Sequence, residues 1–184
     1  ALIAPDAEFS FNDVLGPVEA GSGFKMEKVI KKDKAEYELG GGICQVSTTM
    51  YRALLQAGLP ITERKPHSWK VSYYGQSMGH GLDATIYPGV TDLKFLNDTG
   101  NYLLVQAYDE GAEAYFKIYG TSDGRIAKLD GPYGGGLTWR WNRILIKDGV
   151  ETTEEIWSQY RPIPAPEPPK PIAQKPADGV PQNF

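Results

Sequence analysis

Cysteine and histidine are the scarcest reactive residues in this chain of 184 residues. There is one cysteine, Cys44, and there are two histidines, His67 and His80. One cysteine cannot form a disulfide within the chain. Any site that uses thiol or imidazole chemistry must therefore be built from these three side chains.

Long hydrophobic runs and basic clusters are also missing. No apolar stretch approaches the roughly 20 residues of a membrane-spanning helix, so we expect no membrane span in this chain. The net charge is −4 and no basic patch carries interleaved aromatic residues, which argues against nucleic acid as a partner. We expect a monomer with no cofactor and no bound metal.

One helix is predicted from the hydrophobic pattern. Val46, Met50, Leu54 and Ala57 recur at helical spacing between positions 44 and 57, and Gly58 follows where a helix commonly ends. Most of the remaining pattern is typical of β-strands. The predicted fold class is α+β, with Cys44 at the N-terminus of one main helix that packs on a mostly antiparallel sheet.

The predicted strands come from alternating apolar residues between turn signals. The turns Glu110-Gly111 and Asp148-Gly149 each indicate a hairpin, whereas the glycine-rich stretch 126–136 is expected to be a loop. The expected strands lie at 8–15, 24–30, 69–74, 92–96, 102–108, 114–119, 139–147 and 150–160. We expect a catalytic domain at 1–125, a β-hairpin extension at 126–161 and a proline-rich disordered tail or linker at 162–184.

The glycines before Cys44 suggest a nucleophilic site. Gly40-Gly41-Gly42 lets the backbone turn tightly, and the helix that follows has unpaired N–H groups and a positive dipole end. A thiol in this position is biased toward thiolate. The backbone N–H groups of Gly42, Ile43 and Gln45 are candidates to stabilise an oxyanion. The alternative is that Cys44 is a small buried apolar residue. A phosphate loop is disfavoured because no Gly-Lys-Ser/Thr follows.

A cysteine nucleophile needs a base, and the two histidines differ in setting. His67 precedes the expected strand at 69–74, which can hold it still, whereas His80 lies in a glycine-flanked loop. We therefore favour His67 as the base and Asp83 as the residue that orients it. Cys44, both histidines and Asp83 also have zinc-ligand chemistry, but their spacing does not match a zinc motif.

Aromatic residues near His67 are candidates for substrate binding. Trp69, Tyr73 and Tyr74 can line a groove for sugars or peptides, together with His80. The competing interpretation is that the aromatic residues belong to the core of a strand.

These motifs resemble those of the VanW domain family. The resemblance is found in Phe9-Ser-Phe-Asn, Gly40-Gly-Gly-Ile-Cys-Gln-Val-Ser-Thr-Thr-Met-Tyr, Pro66-His-Ser, Asp83-Ala-Thr and Asp92-Leu-Lys-Phe, and it extends from about residue 8 to about residue 120. Within it, Cys44 matches the family cysteine and His67 the histidine of the Pro-His-Ser motif.

The resemblance implies an exported bacterial protein of the cell envelope. It further implies an L,D-transpeptidase that forms 3–3 cross-links between peptidoglycan stem peptides through a cysteine thioester. Two alternatives remain open. One is a non-enzymatic module that binds peptidoglycan or a glycopeptide, and the other is a cysteine amidase or peptidase of cell-wall peptides.

Overall fold

The computed structural model describes residues 1–31, 34–111 and 113–163. The strands in this part of the chain are β1 (Leu2–Ile3), β2 (Glu8–Ser10), β3 (Met26–Lys31), β4 (Lys34–Leu39), β5 (Ile61–Glu63), β6 (Lys94–Leu96), β7 (Leu103–Glu110), β8 (Glu113–Gly120), β9 (Ile126–Gly135), β10 (Thr138–Lys147) and β11 (Val150–Gln159). The helices are α1 (Phe11–Leu15) and α2 (Ile43–Gln56), and 3₁₀ turns lie at Ala20–Ser22 and Ser72–Gly75.

The described strands form three three-stranded sheets and one hairpin, all with antiparallel pairing. The sheet orders are β1-β7-β8, β2-β6-β5 and β11-β10-β9, and β3 pairs with β4. The hairpins predicted at Glu110-Gly111 and Asp148-Gly149 are confirmed. Asp148 and Gly149 have φ angles of 51° and 74°, as a type I′ turn requires. The predicted α+β class is confirmed.

α2 is the main helix, and glycine sets both of its ends. Gly42 precedes the first turn with φ 94°, a left-handed conformation that glycine adopts without strain. At the other end Gly58 has φ 71°, its N–H bonds to the Leu55 carbonyl, and the N–H of Leu59 bonds to the Leu54 carbonyl. This pair of hydrogen bonds is a Schellman motif. The predicted helix is confirmed, with its bounds shifted by one residue.

The core lies on the inner side of α2. Leu54 of α2 is completely buried and belongs to one cluster with Leu82, Leu93 and Phe95, which are also fully buried. Burying each such side chain contributes about 1.5–3 kcal/mol. α2 packs mainly against β8 and β9, and its inner side shares this cluster with β6 and the segment around Leu82. These elements position the site described below.

The strand predicted at 69–74 is wrong. Trp69 makes only an isolated bridge to Arg161, and Ser72–Gly75 forms a 3₁₀ turn. The reason lies in the hydrogen bonds: the N–H of Gln76 bonds to the Tyr73 carbonyl, and Arg52 donates to the Tyr74 carbonyl. These carbonyls have local or side-chain partners, so no neighbouring strand is needed. The predicted strand at 8–15 is also too long, because α1 begins at Phe11.

The loop predicted at 126–136 is wrong as well. These residues form β9, so the extension is a three-stranded sheet rather than a hairpin. Glycine is present because the backbone passes close to an aromatic ring: a Cβ on Gly131 would lie 2.8 Å from the Trp141 ring. Gly131 also sits where the register between β9 and β10 shifts. Glycine in a strand often marks such a bulge or close approach.

The remaining predictions concern the C-terminal tail and membrane-spanning helices. The proline-rich tail lies outside the described residues from position 164 onward. In the part of the chain that is described, no helix has the length and apolar character needed to cross a membrane.

Replacing Gly58 by alanine should destabilise the fold more than the same change at Gly89. Both glycines have similar positive φ angles, 71° and 75°, but only at Gly58 does an added Cβ meet a neighbour, the Leu145 Cδ1 atom at 2.8 Å. Gly89→Ala should cost about 1–2 kcal/mol from the backbone alone, and Gly58→Ala at least about 1 kcal/mol more. Urea unfolding measures both, and equal losses would contradict the proposed clash.

Candidate active site

The site is built on the segment 82–86, which runs beside the first turns of α2. Ser47 and Thr48 are buried on α2, and both hydroxyls donate to the Ala84 carbonyl, at 2.7 and 3.3 Å. The N–H of Ala84 in turn donates to the Thr48 hydroxyl at 3.1 Å. These bonds replace a strand partner for the segment and fix its position relative to Cys44.

Cys44 lies in the first turn of α2 and is half-buried. The N–H of Ile86 donates to its sulfur at 3.4 Å, and the Thr85 hydroxyl lies 3.6 Å from the same sulfur. A backbone N–H stabilises a thiolate better than a thiol because the negative sulfur is the stronger acceptor. The surroundings of Cys44 are therefore not those of a purely apolar packing site.

His67 and Asp83 form a buried pair. His67 is 6% exposed and Asp83 is 2% exposed. The Asp83 Oδ2 atom lies 2.7 Å from His67 Nδ1 and also accepts the backbone N–H of His67 at 2.8 Å. This double contact fixes both the position and the rotation of the imidazole. It leaves Nε2 as the ring nitrogen that is free to act on Cys44.

The second oxygen of Asp83 is also occupied. The Tyr160 hydroxyl donates to Asp83 Oδ1 at 2.5 Å, and the Arg64 guanidinium lies 3.6 Å from the same atom. Arg64 is itself anchored by the Asp83 carbonyl and the Ser158 hydroxyl. A buried carboxylate is costly unless it is paired and hydrogen bonded, and Asp83 meets both conditions.

The pKa values of the three groups shift together. Burial alone raises the pKa of Cys44, but hydrogen bonding with His67 and the charge of the imidazole bring it below its ordinary value. Burial alone lowers the pKa of His67, yet its hydrogen bonds and attraction to Asp83 and Cys44 raise that pKa to about 9. Burial likewise opposes ionisation of Asp83, but His67 and Arg64 hold its pKa below the usual range. Both the lowered pKa of Cys44 and the raised pKa of His67 favour the ion pair of thiolate and imidazolium over the neutral pair.

Backbone hydrogen bonds around Cys44 reduce the number of N–H groups that are free to stabilise an oxyanion. The N–H of Ile43 bonds to the Gly40 carbonyl and that of Gln45 bonds to the Gly42 carbonyl, so both donors are committed to the turn. Within the described residues the N–H groups of Gly42 and Cys44 have no hydrogen-bond acceptor. Of the predicted set, Gly42 keeps a backbone N–H that is free among the described residues and Cys44 adds a second, whereas the N–H groups of Ile43 and Gln45 already have acceptors in this structure.

The sequence of the chain matches the family model described as VanW like protein over residues 1–119. The chain belongs to the VanW family. A relative from Bacillus subtilis (strain 168), the uncharacterized protein YoaR, is 33% identical over 130 residues, which cover 70% of this chain and 42% of YoaR. The vancomycin B-type resistance protein VanW of Enterococcus faecalis (strain ATCC 700802 / V583) is 33% identical over 99 residues, or 53% of this chain and 36% of that protein.

The chain therefore spans less than half the length of either of these relatives. No solved structure matches it.

A groove of about 830 Å³ runs along the exposed side of α2 in this VanW domain. α2 forms one wall, the turn at 73–78 forms another, and β8 forms the third. Tyr73 lines this groove and is 51% exposed. Trp69 and Tyr74 are buried and do not line it, so a ligand in this groove would not contact them directly. The Tyr74 ring instead packs against His67, with ring centroids 5.3 Å apart.

His80 is not brought to Cys44. Its ring packs on Trp139 at a centroid separation of 5.2 Å, and its carbonyl accepts a hydrogen bond from Trp141. A Cβ on Gly75 would lie 2.5 Å from the ring, so the histidine is held between these elements. Among the described residues no group of three or more histidine, cysteine, aspartate or glutamate side chains is arranged to hold a metal ion.

Several residues of the site were not found from the sequence. Arg64 and Tyr160 complete the surroundings of Asp83, and Thr85 and Ile86 complete those of Cys44. Thr85 and Ile86 follow Asp83 directly, so proximity along the chain was a usable signal. Tyr160 lies 77 residues from Asp83, and no local pattern indicates that contact.

Replacing Asp83 by asparagine should slow alkylation of Cys44. Loss of the carboxylate charge destabilises the imidazolium, which in turn raises the pKa of Cys44. At pH 6–7 the rate with iodoacetamide should fall about tenfold for each pKa unit. Asp98→Asn is the matched control, because Asp98 pairs with Arg125 and Lys147 instead. An unchanged rate in Asp83→Asn would show that His67 does not control the thiol.

Proposed function

We propose that this VanW domain is a cysteine acyltransferase of the bacterial cell wall, an L,D-transpeptidase that acts on peptidoglycan stem peptides. The observation that supports the proposal most strongly is the buried Asp83–His67 pair, whose remaining ring nitrogen is left for Cys44. A histidine oriented by a carboxylate beside a thiol is the arrangement that acyl-transfer enzymes use on unrelated folds.

The first half-reaction forms a thioester. The Cys44 thiolate attacks the carbonyl carbon that links an L-centre to the terminal D-residue of a tetrapeptide stem. The N–H groups of Gly42 and Cys44 stabilise the oxyanion. The carbon–nitrogen bond to the D-residue then breaks, and the proton on His67 Nε2 passes to the leaving amine. Because His67 is already protonated, no separate deprotonation of the thiol is needed.

The second half-reaction transfers the acyl group. The side-chain amine of another stem attacks the thioester carbonyl, loses one proton to His67 and releases the thiolate. A second groove, of about 390 Å³, is lined by Gly42 and Gln45 on one side and by Asp109 and Glu113 on the other. Acidic side chains beside the nucleophile attract a cationic amine more than water, which supports transfer over hydrolysis. The cation gives one proton to solvent before it attacks, and the proton that it loses after attack goes to His67.

The name of the Enterococcus faecalis relative, a vancomycin B-type resistance protein, supports a role in the cell wall. The proposed substrate also requires a location outside the cytoplasm, in the cell envelope. A single unpaired cysteine is compatible with such an oxidising environment when the thiol serves in catalysis.

The proposal is tested by incubating the protein with a disaccharide-tetrapeptide and examining the products by mass spectrometry. The wild-type protein should form 3–3 cross-linked dimers. Cys44→Ala should form none, and His67→Ala should reduce the rate by about 10²–10⁴-fold, as expected for loss of a general acid–base group. His80→Ala is the matched control and should keep activity, because His80 packs on Trp139 instead.

Other products would favour other functions. Released fragments without dimers that disappear in Cys44→Ala would indicate an amidase or peptidase. Binding of stem peptide that survives Cys44→Ala, with no product from wild type and no covalent adduct with a carbapenem, would indicate a binding module and would contradict the proposed enzyme.

The rate of acylation should have a bell-shaped dependence on pH. It should fall in acid as the Cys44 thiolate is protonated, and it should fall above about pH 9, where His67 loses the proton that the leaving amine needs. In the Asp83→Asn variant the decline of the rate on the alkaline side should begin at a lower pH, because Asp83 raises the pKa of His67. Initial rates of adduct formation by intact mass, from pH 5 to 10, measure both limbs, and a basic limb that does not move would contradict this role of Asp83.

A further inference from the structure

Arg52 is a half-buried cation that lines the groove along α2. Its three hydrogen bonds all go to neutral acceptors. Nε donates to the Leu82 carbonyl at 2.8 Å, Nη1 to the Ser77 hydroxyl at 2.8 Å, and Nη2 to the Tyr74 carbonyl at 2.6 Å. These bonds hold the guanidinium in one orientation against the groove wall.

Arg52 feels the charge of Asp83 but forms no direct ion pair among the described residues. In the described part of the chain no carboxylate lies within ion-pair distance of its guanidinium. Glu113 lines the same groove, but its carboxylate accepts a hydrogen bond from the Tyr115 hydroxyl. A guanidinium has five N–H donors, and three are used, so one remains on each terminal nitrogen. Such a planar fork matches the two oxygens of a carboxylate.

The groove that contains Arg52 extends to the residue next to the nucleophile. Gln45, which follows Cys44, lines it at one end, and Thr49 lines it between Gln45 and Arg52. The opposite wall includes Tyr73, whose ring contacts Tyr74 at a centroid distance of 4.6 Å, and Tyr74 packs on His67. A peptide acylated on Cys44 can therefore continue along α2 toward Arg52.

The distance between Cys44 and Arg52 determines which part of an acylated substrate can reach the guanidinium. Eight residues of helix correspond to about 12 Å along the axis, and the side chain of Arg52, which is longer than that of Cys44, leans toward the helix N-terminus and so toward Cys44. Two extended residues span about 7 Å. The carboxylate of the departing D-residue is too close to the acylated carbonyl to reach Arg52, whereas a group on the residue before the acylated one, about two residue lengths away, can do so.

We propose that Arg52 determines substrate specificity by binding a free carboxylate on the residue immediately before the one whose carbonyl is acylated. In a stem peptide this group is the α-carboxylate of the D-glutamyl residue that is linked through its γ-carboxyl. The inference rests on the proposed function and names the form of its substrate. Stems whose D-glutamyl carboxyl is amidated lose the charge and are poorer ligands.

The test measures binding separately from turnover. Every protein carries Cys44→Ala, and two tetrapeptide stems, one with the free D-glutamyl carboxyl and one with its amide, are titrated by calorimetry. The free acid should bind about 10- to 100-fold more tightly, the range expected for a charge-assisted hydrogen bond. Adding Arg52→Gln should reduce the affinity for the acid to that for the amide and leave the affinity for the amide unchanged. Arg52→Lys should retain part of the preference.

The controls separate recognition from structure. Arg140→Gln removes a cation that pairs with Glu155 on the extension and should keep the full preference for the acid. Weaker binding of both stems in Arg52→Gln and Arg52→Lys alike would indicate a structural role and overturn the inference. Equal binding of both stems to the Cys44→Ala protein, or no binding, would also overturn it. The two proposals can also fail separately. If the wild-type protein forms no cross-links but binding of the free acid still depends on Arg52, the proposed transpeptidase is contradicted and the proposed carboxylate site is retained.

Discussion

The buried carboxylate of Asp83 is the interaction on which the rest of the site depends. A charge that is 2% exposed must be compensated by nearby donors, since its desolvation costs several kcal/mol. The compensation comes from the imidazole and backbone N–H of His67, the hydroxyl of Tyr160 and the guanidinium of Arg64. The folded chain can bury Asp83 only when these groups are in place, so the requirement to satisfy one carboxylate also orients the histidine.

The position of Cys44 balances two opposing effects. Burial disfavours the thiolate, while the imidazolium and the Ile86 N–H favour it. A more exposed thiol would feel a weaker attraction to His67 because water screens charges. A fully enclosed thiol could not reach a substrate. The imidazolium and the Ile86 N–H keep the pKa of Cys44 below its ordinary value, while the sulfur is only half-buried and its neighbours Ile43 and Gln45 line a groove.

The sequence predicted features whose causes are local. The helix follows from the spacing of Val46, Met50 and Leu54 and from the glycines that flank it, and the hairpin at Asp148-Gly149 follows from the φ angles that its two residues tolerate. Local sequence patterns gave wrong predictions where contacts between distant residues determine the backbone conformation. The residues at 69–74 alternate like a strand, yet Arg52 of α2 captures the Tyr74 carbonyl. Gly131 resembles a loop residue, yet it is required by the ring of Trp141 on the next strand.

The same distinction applies to the site. Cys44, His67 and Asp83 were identifiable because each lies in a motif, and the contact between His67 and Asp83 spans only 16 residues. Arg52 and Tyr160 were not identifiable, because their roles arise from contacts that no local pattern encodes. The geometry of the fold was needed to show that a helix residue two turns after the nucleophile lines the groove next to it.

The extension is part of the site rather than an appendage to it. The family match ends at residue 119, but Tyr160 lies beyond that limit and donates to Asp83. Ser158 of β11 bonds both to Arg64 and to the Gly81 carbonyl, and so ties the same sheet to the residues on either side of the pair. Without these contacts Asp83 Oδ1 would lose the hydrogen bond from the Tyr160 hydroxyl. In a buried position, a missing hydrogen bond costs about 1–3 kcal/mol, and more for a charged group. The contacts that stabilise the Asp83–His67 pair therefore extend past the family match to β11 and the residue after it. A shortened chain that ends near residue 119 would keep the nucleophile and the base but lose part of what stabilises the carboxylate beside the base.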